Sequence, residues 1–207
     1  MVKLIAMAAM LIDHIGAVFF PEAIWLRIIG RISFPLFAWG IAVGFIRTRN
    51  WKIYAVRLLA VGLITQLPYS RLFQNNNWNV CFTLLAGLVA LKLLQAKNLL
   101  ARIFGMAGLL ALVHFLDFEY GIYGVLTILI FYFYRDDRNL PLYQGILTLG
   151  GILVYRFHEI QLFSVISSFL IPAVRRNDYQ LNRLVQYGFY PVHIVLLLII
   201  KTIAGLE

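Results

Sequence analysis

The stretch Val2-Lys3-Leu4-Ile5-Ala6-Met7-Ala8-Ala9-Met10-Leu11-Ile12-Asp13-His14-Ile15-Gly16-Ala17-Val18-Phe19-Phe20 decides the class of this protein. It is a long apolar run broken by one cation near its start and one acid–imidazole pair near its end. A run of this length matches the roughly 20 residues that a helix needs to cross a bilayer. A carboxylate at the centre of such a helix costs about 2.5–3.5 kcal/mol on insertion scales, so Asp13 needs a partner or a polar cavity. Neighbouring helical residues point about 100° apart, so Asp13 and His14 cannot share one narrow stripe. Lys3 and His14 can. They are separated by close to three turns and lie on one face, about 16 Å apart. Gly16 removes a side chain beside His14 and allows another helix to come close. The plainer account is a snorkelling lysine with a buried His–Asp pair. The run lacks a small-residue cleavage site and reads as a mature helix rather than a cleaved signal.

The rest of the chain repeats this character. Its 207 residues are 62% hydrophobic and only 13% charged, with a mean hydropathy of +0.84. A soluble domain is about 25% charged, and so short a chain cannot hide this much apolar surface in one core. The bilayer is the solvent, and the fold class is an all-α, polytopic transmembrane bundle forming one domain over residues 1–207. Nine apolar runs stand out: 2–20, 32–46, 51–68, 80–95, 98–116, 121–134, 140–155, 160–174 and 186–204, a count of about nine spans within a range of eight to ten. Several are shorter than a standard span and read as tilted, broken or re-entrant, the sixth and eighth least securely as full spans.

With nine spans, Lys and Arg divide unequally between the two sides. Lys3, Arg47, Arg49, Lys52, Lys97, Arg102, Arg135, Arg138, Arg175, Arg176 and Arg183 fall with the N-terminus. Arg27, Arg31, Arg71, Arg156 and Lys201 fall opposite, a ratio of eleven to five with Arg57 and Lys92 left out as intramembrane. Cationic loops stay in the cytoplasm, so the expected N-terminus is cytoplasmic and the C-terminus outside. The net charge of +9 follows from this topology and from anionic lipid head groups, with no need of nucleic acid.

Other polar groups frame the candidate site. Arg27 and Arg31, four apart, share a face if helical, and can pair with Asp13, Asp117 or Glu119 or hold an anionic acceptor. Arg47, Arg49, Lys52 and Arg57 are topological cations or a phosphate-binding set. Arg57, two turns inside the third run, needs a partner, a cavity or a phosphate. Asn79 and Thr83 are expected to make inter-helix hydrogen bonds, and Tyr190 belongs to an aromatic belt. His193 fits no belt. Lone Cys81 permits no intrachain disulfide. No HExxH, Cys/His set, P-loop, GxSxG, selectivity filter or arginine ladder is present, so metal, hydrolase and channel chemistry lose ground.

Leu11-Ile12-Asp13-His14-Ile15-Gly16, Arg27-x-x-Gly30-Arg31-x-x-Phe34-Pro35-x-Phe37, Gly44-Phe45-x-Arg47-Thr48-Arg49-Asn50, Gln66-x-Pro68, Asn79-x-x-Phe82-Thr83-Leu84 and Tyr187-x-x-Tyr190-Pro191-x-His193 together resemble the TraX family of bacterial membrane proteins. The match runs through nearly the whole chain in the family's order; residues 98–180 add little. The family is named for a protein implicated in N-terminal acetylation of conjugative pilin. It is similar in architecture to the broader transmembrane acyltransferases, which pass an acyl group from cytoplasmic acyl-CoA to an outer acceptor. In those proteins a first-helix basic residue is followed by ten residues and a histidine, as Lys3 and His14 are here. The tighter spacing of Arg47 and Arg49 departs from their pattern. The resemblance implies a multi-pass protein of the bacterial inner membrane that uses acetyl-CoA as acyl donor, without a metal. His14 is then the general base, with Asp13 orienting it or fixing an arginine. Lys3, Arg47, Arg49, Lys52 and Arg57 hold the donor, and Arg27, Arg31, Asn79, Thr83, Tyr190 and His193 are substrate-binding or structural polar groups. The partners implied are membrane lipids, the donor and an extracytoplasmic glycan, lipid or protein N-terminus. The alternatives are a transporter or lipid-translocating protein with Asp13, Arg57 and His193 on its path, and a structural membrane subunit.

Overall fold

The computed structural model describes residues 1–175 and 181–206. Arg176, counted above among the cytoplasmic cations, lies outside the described residues, as does the side chain of Arg183. The described chain is helical from end to end: α1 Val2–Phe19, α2 Ile24–Gly30, α3 Ser33–Arg47, α4 Trp51–Phe73, α5 Val80–Leu94, α6 Leu99–Phe115, α7 Gly121–Tyr134 and α8 Leu140–Tyr155. A 3-10 segment Glu159–Val165 then leads into α9 Ile166–Val174, and α10 Arg183–Ile203 completes the order. By length and composition four stretches can cross a membrane: Val2–Phe19, Ile24–Arg47, Trp51–Phe73 and Leu184–Ile203. The other apolar helices are shorter.

Asparagine side chains cap four of these helices. Asn50, Asn79, Asn98 and Asn182 each accept, through the side chain, from a backbone N–H in the first turn, satisfying donors that the helix itself leaves orphaned. Pro35 falls in the first turn of α3, where a missing N–H costs nothing. Each apolar run found in the sequence corresponds to helical structure, with two differences. Residues 24–30 form the short helix α2, which puts Arg27 and Arg31 one turn apart. The run 160–174 is a 3-10 segment followed by a short α-helix. There Ser167 donates to the Ser164 carbonyl and Gln144 donates to the same carbonyl, and Ser168 donates to the Gln144 side chain. These side chains give the backbone other partners than the α-helical ladder.

Among the described residues, contacts sort the loops to two ends. At one end Lys3 donates to Gln186 at 2.8 Å, joining the N-terminus to the first turn of α10, and Arg175 pairs with Asp136 at 2.6 Å, joining the ends of α9 and α7. At the other, Asp13, Arg27, Arg31 and Gln161 meet. There Trp78 and Glu119 tie two loops together through backbone bonds of Trp78 N–H to Asp117 and Glu119 N–H to Trp78. Helices α1, α3, α5 and α7 pack at the centre, around Phe34, Leu36, Leu88, Ile128 and Phe131. Helix α10 lies against α4 and touches α1.

Candidate active site

Helix α1 turns a stripe of side chains at i, i+4, i+7 and i+11 toward the interior: Lys3, Met7, Met10 and His14. The first three line a narrow cavity, and His14 lines a second cavity at the Asp13 end. That second cavity, of about 360 Å³, is polar and is bordered by Asp13, His14, Arg27, Arg31, Tyr69, Asn75, Glu119, Tyr120 and Gln161, among others. Asp13 does not orient His14. Its two oxygens take Arg27 Nη1 at 2.8 Å and Arg31 Nη2 at 2.6 Å. Arg27 also donates to the Asp13 carbonyl at 3.0 Å and Arg31 to Gln161 at 3.2 Å. The insertion cost of the carboxylate is thus met by two guanidinium groups from the α2–α3 junction. Two glycines permit it. A Cβ on Gly16 would lie 2.6 Å from Leu26 Cβ, and one on Gly30 would lie 2.2 Å from Asp13 Oδ1.

His14 is oriented instead by His193, a residue 179 positions away. His14 Nδ1 and His193 Nε2 are 2.9 Å apart, and His193 Nδ1 is 2.8 Å from the carbonyl of Phe189. The carbonyl can only accept, so the proton of a neutral His193 sits on Nδ1 and its Nε2 accepts. His14 must then donate from Nδ1, which leaves Nε2 as the basic nitrogen of the ring at the Asp13-end cavity. Phe73 packs edge-on to His14 at 5.0 Å and Phe189 stacks on His193 at 4.4 Å, holding both planes. His193 therefore sits midway along α10, level with His14.

On the other side of this pair lies the narrow cavity, about 80 Å³, lined mostly by apolar residues with Tyr54, Cys81, Phe189 and Tyr190. The buried Tyr190 hydroxyl has no hydrogen-bond partner among the described residues. Lys3, Gly40, Tyr54, Gln186 and Tyr187 also line a third, wider cavity of about 560 Å³, completed by Arg47, Thr48, Arg49, Asn50 and Arg57. Arg57 finds its partner in Tyr187, whose ring centroid is 5.9 Å from the guanidinium carbon, a cation–π distance. Lys52 stands apart from this set. It is exposed and outside the cavity lining.

The sequence profile of the family described as TraX protein matches residues 1–201. The chain belongs to the TraX family. A probable fimbrial assembly protein FimC, serogroup H1, of Dichelobacter nodosus is 29% identical over 232 aligned positions, covering 94% of this chain and 92% of the relative. An uncharacterised protein of Rickettsia prowazekii (strain Madrid E) is 35% identical over 74 residues, covering 36% of this chain and 28% of the relative. No solved structure matches the chain.

Two motif residues of this TraX chain are already committed to its own backbone. The Asn79 amide donates to the Gly62 carbonyl and the Gln66 side chain, and its oxygen caps α5. The Thr83 hydroxyl donates to the Glu119 carbonyl. Both are fully buried and neither lines the three cavities, so of the substrate-binding and structural roles the resemblance allows them, their geometry fits the structural one. Sequence reasoning named Glu119 only as an acid that Arg27 and Arg31 could pair with, and passed over Gln186 and Gln161. Glu119 is half-buried on the wall of the Asp13-end cavity. Burial pushes its carboxyl up to about 7, against the pull of a hydrogen bond from Tyr69. Its place with Asp117 between two apolar runs was the available signal. Gln186 and Gln161 carry none, since a glutamine near a helix end is unremarkable in sequence. Among the described residues no group of three or more His, Cys, Asp or Glu side chains could hold a metal ion.

Proposed function

We propose that this protein is a membrane-embedded acyltransferase that moves an acetyl group from cytoplasmic acetyl-CoA to a hydroxyl or amine acceptor at the outer face of the bacterial inner membrane. The observation that carries the reading is the position of the His14–His193 pair. It stands between a polar cavity at one end of the bundle and a narrow cavity that continues into a basic one at the other. The excess of Lys and Arg in the loops at the Lys3 end supports a cytoplasmic position for that end.

In this scheme Arg47, Arg49 and Arg57, with Lys3, hold the phosphates of the donor. The acyl arm runs along the Lys3–Met7–Met10 stripe toward His14. A cavity of about 80 Å³ holds roughly five waters, too little for the whole arm, so Met7 and Met10 must swing aside. Methionine, unbranched and flexible, allows this at low cost. The acceptor enters from the Asp13 end. His14 Nε2 takes its proton as its oxygen or nitrogen attacks the thioester carbonyl carbon. The Tyr190 hydroxyl, buried and unpartnered, supplies a hydrogen bond to the tetrahedral oxyanion. Collapse breaks the carbon–sulfur bond, and the departing thiolate recovers the proton from His14. The Arg27–Asp13–Arg31 cluster fixes the mouth of the acceptor cavity. The fimbrial assembly role in the name of the Dichelobacter relative supports a surface protein, such as the N-terminus of a pilus subunit, as acceptor; glycans and lipids are the other classes.

The test is transfer of labelled acetyl from acetyl-CoA by purified protein in proteoliposomes, with acceptors identified by a +42 Da shift in envelope material. His14→Ala should abolish transfer while the protein stays folded. Full activity in His14→Ala would end this mechanism. The same chain of cavities would serve a transporter, and that reading gains if calorimetry shows no acetyl-CoA binding while solute flux persists.

A further inference from the structure

A fourth cavity, of about 410 Å³, lies against the same loop as the basic one. It is lined by Phe45, Ile46, Thr48, Arg49, Trp51, Lys92, Gln95 and Tyr132. Thr48 and Arg49 border both cavities, so one short extended strand of backbone, between the end of α3 and the Asn50 cap of α4, separates two adjacent basins. Their chemistry differs. The larger basin is bordered by four cations, Lys3, Arg47, Arg49 and Arg57, while the fourth cavity combines two cations with three aromatic rings. Phe45 and Tyr132 pack edge-to-face at 6.0 Å and form one wall. Lys92 is held toward the C-terminal end of α5 by a 3.2 Å bond to Gln95. Among the described residues no carboxylate lines this cavity.

An aromatic wall beside two cations suits a flat heterocycle carrying a phosphate: the base offers a π-face to the rings, and the phosphate meets Arg49 and Lys92. We propose that this cavity binds the nucleotide end of the acyl donor, a purine base with its ribose phosphate, while the basic basin next to it takes the diphosphate. This inference rests on the acyl-CoA reading above and deepens it. It assigns Trp51, Tyr132 and Lys92 to donor recognition and gives Arg49 a place between the two sets of phosphates.

The experiment is calorimetry on the full-length protein in nanodiscs, using CoA, 3′-dephospho-CoA, 4′-phosphopantetheine and 3′,5′-ADP as probes. Wild type should bind CoA more tightly than 4′-phosphopantetheine and should bind 3′,5′-ADP by itself. Trp51→Ala and Lys92→Ala should each weaken CoA and 3′,5′-ADP about ten-fold, the scale of one stacked base or one phosphate contact, and leave 4′-phosphopantetheine unchanged. Lys92→Ala should also erase the difference between CoA and 3′-dephospho-CoA. Trp51→Phe, which keeps an aromatic ring, should retain most of the affinity and guards against a folding defect. Equal binding of CoA and 4′-phosphopantetheine by wild type would overturn the nucleotide site while leaving the donor reading intact. So would equal losses for both probes in the variants. An anionic lipid headgroup shares the phosphate chemistry. If phosphatidylglycerol in the nanodisc displaces 3′,5′-ADP completely and CoA not at all, the cavity is a lipid site and the proposal fails. Binding of none of the four probes would refute both the site and the acyl-CoA donor.

Discussion

Replacing His193 by alanine removes the group that sets the tautomer of His14. In the native arrangement the 2.9 Å contact satisfies the N–H at His14 Nδ1 and keeps Nε2 unprotonated. Without His193 the buried ring has two options. It can keep its proton on Nδ1 with no acceptor, at a cost of about 1–3 kcal/mol for a buried unsatisfied donor. Or it can move the proton to Nε2, which silences the base. Either way the competent form is disfavoured by about that amount, which lowers kcat roughly 5- to 150-fold. The cations proposed to hold the donor lie at the other end of the cavity system, so KM for acetyl-CoA should stay within about two-fold, as expected of an interaction that acts on the reacting state and not on donor binding. His193→Gln, whose amide oxygen can accept from Nδ1, should recover part of the loss, whereas His193→Phe should not. The assay is steady-state transfer of labelled acetyl in proteoliposomes, with intact folding shown by size-exclusion chromatography. If His193→Ala and His193→Gln both keep wild-type kcat while His14→Ala is inactive, the relay argument is wrong.

Two further outcomes follow from the Asp13 end. Asp13→Ala leaves Arg27 and Arg31 facing each other without the carboxylate that both now grip. Thermal unfolding in detergent should show a loss of about 3–5 kcal/mol, the scale for stripping one partner from a buried ion pair; a change under 1 kcal/mol would mean the cluster is solvated. The Glu119 carboxyl is raised from 4.5 to about 7 in the folded protein. A raised carboxylate binds its proton more tightly when folded, so its contribution to stability is fully present below pH 4.5. That contribution falls as pH climbs through 7. Unfolding midpoints measured across this window should decline more steeply for wild type than for Glu119→Gln, and parallel curves would show that the carboxyl titrates elsewhere.

Much of the fold is legible in the sequence. The apolar runs predict the helices, because burial in lipid demands a local excess of apolar residues and internally bonded backbone. Lys3, Arg47 and Arg49 are visible in the sequence as cations at run ends and Arg57 as one inside a run, and the structure brings them to one basin. The irregular course of 159–174 was less legible, since Ser167 and Ser168 read as ordinary small residues until Gln144 is placed beside them. Asn79 and Thr83 show the opposite difficulty. They have the chemistry of a site, but hydrogen-bonding capacity belongs to a side chain only until something else claims it, and here the Gly62 and Glu119 carbonyls do.

The sequence by itself determined the solvent, the helical class and the family, and it singled out Asp13 and His14 as polar residues within an apolar helix. Each of these is a local property: a sum of hydropathy, a spacing along one helix, a charge where lipid resists it. Tertiary structure alone decided what the pair does. Asp13 could have polarised its neighbour, yet the α2–α3 junction brings two arginines to it first, through the gap left by Gly30. His14 takes its orientation from His193, at the far end of the chain, because α10 packs against α1 and α4. A helix presents several faces, and only packing chooses which of them meets a partner.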